Sequence, residues 1–380
     1  MRSGQNITQP QGYKAFIPNP LPPQPPVAIQ GELLQKLEQA TALLNRLDGM
    51  AYTLPNPDLF ISMYVKKEAL LSAQIEGTQA SLENVLTFEG DNVSETVNDV
   101  GDVINYIKTL HYGIDRLQKL PMSVRLIKEL HAMLLQGVRG NDKTPGEFKR
   151  SQNWIGRPGC TLRDAQFIPP PPEEAHAAMS DLEKFMHQPS DLPLLVQCAL
   201  IHYQFETIHP FLDGNGRVGR LLITFFLVWK GVMQKPLLYL SYYFKKNRQE
   251  YYDRLTMVRN NGDYEQWVNF FLEGVVQIAQ DALQQTRSIL DLHEKHKNLL
   301  YQKNISSPLA VKILERLFYT PLVSIGDVQS FFDINYQTAA NLIEQFCQMG
   351  IVKEATGKKR GKRFVYSEYM EIVSEGTQPL

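Results

Sequence analysis

Apolar residues recur at three- and four-residue spacing along most of this chain, a period that predicts a mostly α protein. The first such stretch starts at Ile29 and carries Leu33, Leu34, Leu37, Ala40, Leu43 and Leu44 to a stop at Asp48-Gly49. A second helix is predicted from Pro57 to Glu76, ended by Gly77. Further helices are predicted at 95–118, 123–137, 173–187 and 192–207, and a long one at about 264–298. Residues 148–170 break the pattern. There Phe148 to Gly156 and Ala165 to Ile168 flank the turn-rich Arg157-Pro158-Gly159-Cys160, which predicts a hairpin. Pro169 to Pro172 end it, and a proline suits the first position of the helix that follows. In residues 1–28 the prolines 18, 20, 22, 23, 25 and 26 favour an extended surface arm over helix.

From Ser307 the order of elements changes. Helices are predicted at Pro308–Tyr319, Ile325–Phe332 and Tyr336–Met349. Two strand-like runs, Gly350 to Val352 and Phe364 to Tyr366, then flank the basic stretch from Lys358 to Arg363. That order predicts a winged helix-turn-helix. The chain therefore divides into a Pro-rich arm at 1–28, a helical region at 29–120, a core at 121–280, a linker helix at 281–304 and a winged module at 305–375.

Thirty-nine Lys and Arg against 40 Asp and Glu give no overall field for nucleic acid or an anionic membrane, so such a partner needs a local patch. Cys160, Cys198 and Cys347 are too scattered for a disulfide framework or a CxxC zinc site. The longest apolar run, Leu221 to Trp229, is about half the roughly 20 residues that span a bilayer. Without a basic stretch followed by an apolar core at the N-terminus, the expectation is a cytoplasmic protein with no membrane partner.

Chemistry concentrates in His209-Pro-Phe-Leu-Asp213-Gly214-Asn215-Gly216-Arg217-Val218-Gly219-Arg220, a loop between two apolar helices. Pro210 disfavours α conformation at His209 and so places the imidazole at the end of the preceding helix. Gly214 and Gly216 let amides approach a ligand and open the next helix, whose N-terminus favours an anion. Arg217 and Arg220, three apart, project from one face toward successive phosphates. Asp213 offers one hard oxygen to Mg²⁺, and His209 can accept a proton from a hydroxyl at neutral pH. Gly214-x-Gly216-x-x-Gly219 has the form of a dinucleotide fingerprint. A helix leads into it, however, and no acidic residue lies between Gly219 and Glu250, so that reading is set aside. His202, seven before His209, has the apolar neighbours of a buried structural histidine.

The segment resembles the Fic family, whose signature H-x-F-x-[D/E]-G-N-G-R-x-x-R it matches at every fixed position. The resemblance implies a helical core with a small β-hairpin flap at about 153–170 that aligns a target segment by strand addition. It further implies AMP transfer from ATP to a Ser, Thr or Tyr hydroxyl of a target protein. His209 would be the base, Asp213 the Mg²⁺ ligand and Gly214 to Gly216 the anion hole. ATP contacts would come from Gly214, Asn215, Gly216, Arg217, Val218, Gly219 and Arg220, with Tyr251 and Tyr252 toward the adenine. A Doc-like kinase would carry Ala-Asn-Lys where this chain has Gly214-Asn215-Gly216, which favours nucleotidyl transfer.

Ser72-Ala-Gln-Ile-Glu76-Gly77 matches the family's inhibitory motif [S/T]-x-x-x-E-[G/N]. At a helix C-terminus a carboxylate meets the negative end of the dipole and needs a cation. The resemblance supplies Arg220 and implies an N-terminal inhibitory helix. In the winged module Lys353, Lys358, Lys359, Arg360, Lys362 and Arg363 face only Glu354, while the helix 336–349 carries no Lys or Arg, so DNA and a protein both remain as partners. Two other functions stay open: an ATP-sensing DNA-binding regulator with little turnover, and removal of AMP by the same site. The resemblance is compatible with a homodimer.

Overall fold

A computed structural model of the chain describes residues 1–53, 57–88, 97–138, 140–157, 159–303, 305, 307–357 and 360–379. In order, the elements through the middle of the chain are β1 (Gly4–Thr8), β2 (Lys14–Pro18), α1 (Glu32–Thr53), α2 (Pro57–Ile75), α3 (Leu82–Phe88), α4 (Val97–Leu117), α5 (Val124–Leu134), α6 (Pro172–His187), α7 (Leu194–Ile208) and α8 (Asn215–Trp229). They continue with α9 (Ser241–Lys246), α10 (Arg248–Asn261), α11 (Tyr264–Gln302), α12 (Pro308–Tyr319), β3 (Leu322–Ser324), α13 (Ile325–Phe332), α14 (Tyr336–Gln348), β4 (Lys353–Glu354), β5 (Arg363–Val365) and α15 (Ser367–Val373). The protein is mostly helical, as its periodicity predicts. Two compact units result, one of Met1–Asp48 with Gly101–Ala279 and one of Gly49–Val100 with Gln280–Leu380. Among the described residues no helix is long and apolar enough to cross a membrane.

The first unit is built around α7. Its residues from Leu195 to Ile208 are all buried, so it has no solvent face and packs on every side, against α6, α8, α10 and β2. α8 is buried along most of its length in the same way. α5 starts at Ser123, whose hydroxyl accepts the Leu126 amide at 3.3 Å, and α6 starts with Pro172 at its first turn, as expected.

Two expectations are corrected here. The segment read as an extended arm holds a β-hairpin: β1 and β2 pair antiparallel from Gly4↔Pro18 to Thr8↔Lys14, with Ala15 and Phe16 buried. Arg2 fastens it by a bidentate pair to Glu265 at 2.9 and 3.0 Å. The hairpin read at 148–170 is reduced, among the described residues, to one antiparallel bridge, Ile155↔Phe167. The reason is competition for partners. The Ile168 carbonyl accepts from Phe16 of β2 at 2.9 Å, and the intervening chain winds into a 3₁₀ turn at Leu162–Asp164.

In the second unit α2 packs against α3, α12 and α15. It ends in a Schellman motif: the Gly77 amide reaches the Gln74 carbonyl at 3.0 Å, the Thr78 amide reaches Ala73 at 3.3 Å, and Gly77 sits at φ 97°. Gly77 therefore stops the helix as the sequence predicts, with Ser72 buried inside it and Glu76 exposed at its edge. Toward the C-terminus, α13 packs on α14 beside an antiparallel sheet of order β3-β5-β4. Ser324 and Asp327 form a capping box at the start of α13. Lys358 and Lys359 of the predicted basic stretch lie outside the described residues.

Candidate active site

α7 stops at His209 because the chain turns left-handed there, at φ 48° and ψ 59°, and Pro210 follows. A second left-handed residue, Gly214 at φ 76°, opens α8. These two turns enclose a six-residue loop and bring the imidazole and the first amides of α8 to its two ends. The first intrahelical bond of α8 runs from the Val218 amide to the Gly214 carbonyl, so the amides of Asn215, Gly216 and Arg217 have no intrahelical acceptor. That helix end suits an anion.

The loop is held from inside by Asn215. Its carboxamide accepts from the Phe211 amide at 2.9 Å and donates to the Phe211 carbonyl at 2.8 Å. Phe211 is buried and stacks on His131, with centroids 3.7 Å apart and planes 6° apart. The Gly146 amide donates to His131 Nδ1 at 2.8 Å, which fixes the proton on Nε2, and that N–H donates to the Asp213 carbonyl at 3.0 Å. Burial pushes the His131 pKa down to about 4, so this tautomer is neutral at pH 7.

Asp213 is the half-buried carboxylate of the loop. Its Oδ1 accepts from the Gly214 amide at 2.6 Å and stands 3.7 Å from Arg217. Among the described residues no cluster of three or more His, Cys, Asp and Glu could hold a metal by itself. A single carboxylate beside an anion-binding helix end fits Mg²⁺, which takes few protein oxygens and completes its shell with phosphate and water.

The arginines part company. The Arg217 guanidinium is buried and bonds Asp102 at 2.8 Å, with side-chain exposures of 3% and 4%. The face read as gripping two phosphates is thus partly committed within the protein, and Arg217 also steadies Asp213. Arg220 is buried one turn further along α8. Gly219 cannot be replaced without disturbing Glu206, whose carboxylate would collide with an added Cβ.

Tyr251 and Tyr252 also separate, because neighbouring residues of a helix point about 100° apart. Tyr251 is 1% exposed, stacks on Phe244 at 4.6 Å and donates its hydroxyl to His202 Nε2 at 2.9 Å. It belongs to the core rather than to an open ring platform, whereas Tyr252 is 39% exposed. His202 has the structural role its neighbours suggest: Nδ1–H donates to the Gly219 carbonyl at 2.9 Å, which bears on the start of α8.

Burial, with Arg220 adding to it, lowers the His202 pKa from 6.5 to about 3. Below pH 6.5 the unfolded chain binds a proton that the folded chain excludes, so stability present above 6.5 is lost as pH falls toward 3. At pH 5 the loss is about 2 kcal/mol. His202→Gln is expected to flatten the fall in denaturation midpoint between pH 7 and 5. Parallel pH profiles for the two proteins would show that His202 is not responsible.

Sequence profiles described as Fic/DOC family N-terminal and Fic/DOC family match residues 34–115 and 121–227. The chain belongs to the Fic/DOC family. Among curated relatives, Protein adenylyltransferase Fic of Drosophila grimshawi is 28% identical over 244 residues, 64% of this chain and 45% of that protein. The namesake in Drosophila willistoni is 28% identical over 63% of this chain and 43% of its own length. This Fic chain thus spans about half the length of the curated relatives it matches. A Fic family protein from Desulfovibrio desulfuricans shares the fold with a TM-score of 0.59 at 20% identity, covering 90% of this chain and 98% of its own. Fic-1 of C. elegans aligns with a TM-score of 0.52 at 19% identity over 67% of this chain and 73% of its own.

Sequence reasoning missed Asp102, His131, Lys149 and Asn153, all of which touch the loop or its arginine. None carries a motif, and their partners lie 56 to 115 residues away in sequence.

Proposed function

We propose that this Fic chain transfers AMP from ATP to a Ser, Thr or Tyr hydroxyl of a target protein. The observation that carries the reading is the loop itself, which sets an imidazole, a carboxylate and an anion-binding helix end within one turn of chain. His209 Nδ1 lies 3.4 Å from the Glu206 carbonyl, a contact that favours the proton on Nδ1 and the lone pair on Nε2. Nε2 takes the proton of the target hydroxyl while its oxygen attacks the α-phosphorus. The bond from that phosphorus to the bridging oxygen breaks, and diphosphate leaves with the electron pair. The amides of residues 215 to 217 receive the phosphate oxygens, Arg220 takes the triphosphate, and Tyr252 is the ring available to the adenine. Asp213 would hold Mg²⁺, which offsets phosphate charge when bound.

Glu76 brakes the reaction by pairing with Arg220, which then cannot seat the γ-phosphate. The module from 305 to 375 is read as a winged helix: α14 carries no Lys or Arg, and Lys362 is paired with Glu354 at 2.9 Å, which supports a protein partner over DNA. The test is label transfer from α-labelled ATP to protein in cell lysate with Mg²⁺. Glu76→Gly is expected to raise incorporation at least tenfold, the factor that about 1.4 kcal/mol of released inhibition corresponds to. Equal labelling by wild type and Glu76→Gly would remove the brake, and no label from either would remove the transferase reading.

A further inference from the structure

His209 is one of few non-glycine residues in left-handed conformation among those described, a state that costs an L-residue on the order of 1–2 kcal/mol. Something must hold it. The carbonyls of Ile208, His209, Pro210 and Phe211 all accept hydrogen bonds, and two residues outside the loop reach every one of them. Lys149 gives its amide to Pro210 at 2.8 Å and its ammonium to Ile208 at 3.4 Å. Asn153 gives its Nδ2 to His209 at 3.1 Å and to Phe211 at 2.7 Å. The two are joined, because Lys149 Nζ donates to Asn153 Oδ1 at 2.7 Å. An ammonium only donates, so it fixes which end of the carboxamide faces the loop.

Burying an ammonium is costly, and a hydrophobic residue could fill the same space without that cost. Lys149 is nevertheless 1% exposed, and burial brings its pKa down to about 7. Asn153 also stands at the base of the flap. Its neighbour Gln152 donates to the Asn153 carbonyl at 2.8 Å and to the Pro169 carbonyl at 3.0 Å, closing the two ends of that segment, and accepts from Tyr13 of the N-terminal hairpin at 3.1 Å.

We propose that Lys149 and Asn153 are positioning residues that hold the His209 backbone in its left-handed turn and link the imidazole to the segment that receives the target. This rests on the AMP-transfer reading of the site. The discriminating substitution is Asn153→Asp, which still satisfies the Lys149 ammonium but has nothing to donate to the His209 and Phe211 carbonyls. A role in packing alone is preserved in it, and positioning is lost.

In the Glu76→Gly chain, Asn153→Asp and Asn153→Ala are expected to slow label transfer 10- to 100-fold, the scale of a misplaced reacting group, with the Kd for ATP changed less than about twofold. Lys149→Arg, which keeps a donor to Asn153, is expected to retain most of the rate. Transfer within twofold of the parent in both Asn153 variants would overturn the proposal. A second arm does not need turnover. In full-length protein with ¹⁵N-labelled histidine, the His209 imidazole signals, assigned by their absence in His209→Ala, are expected to shift in Asn153→Asp while those of His202 stay. Unmoved His209 signals would overturn the clamp even if no variant transfers label, an outcome that would count against AMP transfer itself.

Discussion

In the Glu76→Gly chain, adding His209→Ala is expected to lower AMP transfer by roughly 10²- to 10⁴-fold, the range that a general base contributes. On the proposed reading the substitution removes the group that would accept the hydroxyl proton and leaves in place the α8 amides that would face the phosphates. Binding of ATP is therefore expected to change little, so the loss appears in turnover and not in affinity. The backbone offers a second reason for a clean result. Alanine at a left-handed position is strained, but the Asn153, Lys149 and Asn215 bonds to this loop all use main-chain atoms that the substitution keeps. Measuring nucleotide affinity alongside label transfer separates the two effects. Retention of a tenth or more of the parental rate would assign the proton to another group.

The second large effect is on stability. Asp102→Ala removes the close partner of the buried Arg217 guanidinium and leaves Asp213, at 3.7 Å, as its distant anion among the described residues. Removing one partner of a buried pair typically costs about 3–5 kcal/mol, because the remaining charge stays desolvated. Trp154, Trp229 and Trp267 are the chain's three tryptophans and all lie in the first unit, so their fluorescence reports its unfolding alone. Asp102→Ala is expected to shift that transition strongly to lower denaturant, and Asp102→Asn, which keeps one acceptor for Arg217, to shift it less. Equal midpoints for wild type and Asp102→Ala would mean that the pair contributes nothing net.

The helices were legible because burial on one side imposes a 3.6-residue period, which survives in any amphipathic segment such as 32–53 or 308–319. Gly77 and Pro172 were legible as punctuation, since each solves a local backbone problem that few other residues solve. The site loop was legible for the same reason: its chemistry sits in twelve consecutive residues, and its two turns are set by Pro210 and Gly214. Pairing over long separations was not legible. β1 and β2 were hidden by a run of prolines that begins at Pro18, the last residue of β2, and by the four polar residues among the ten of Gly4–Thr8 and Lys14–Pro18. The Arg217–Asp102 pair joins positions 115 apart, and no local pattern announces it. Tyr251 and Tyr252 were indistinguishable as letters, because only the phase of α10 against its neighbours decides which ring is enclosed.

At the end of α2 the residue that carries charge and the residue that shapes the backbone are adjacent but distinct. Glu76 contributes a carboxylate, while the reversal of the chain depends on Gly77 at φ 97° and on the amides of 77 and 78. Under the proposed brake, a single change at position 76 would retune control while leaving the backbone turn of that helix intact, whereas a change at 77 would disturb both. The proposed regulation would thus be separable by substitution from the architecture of this helix end.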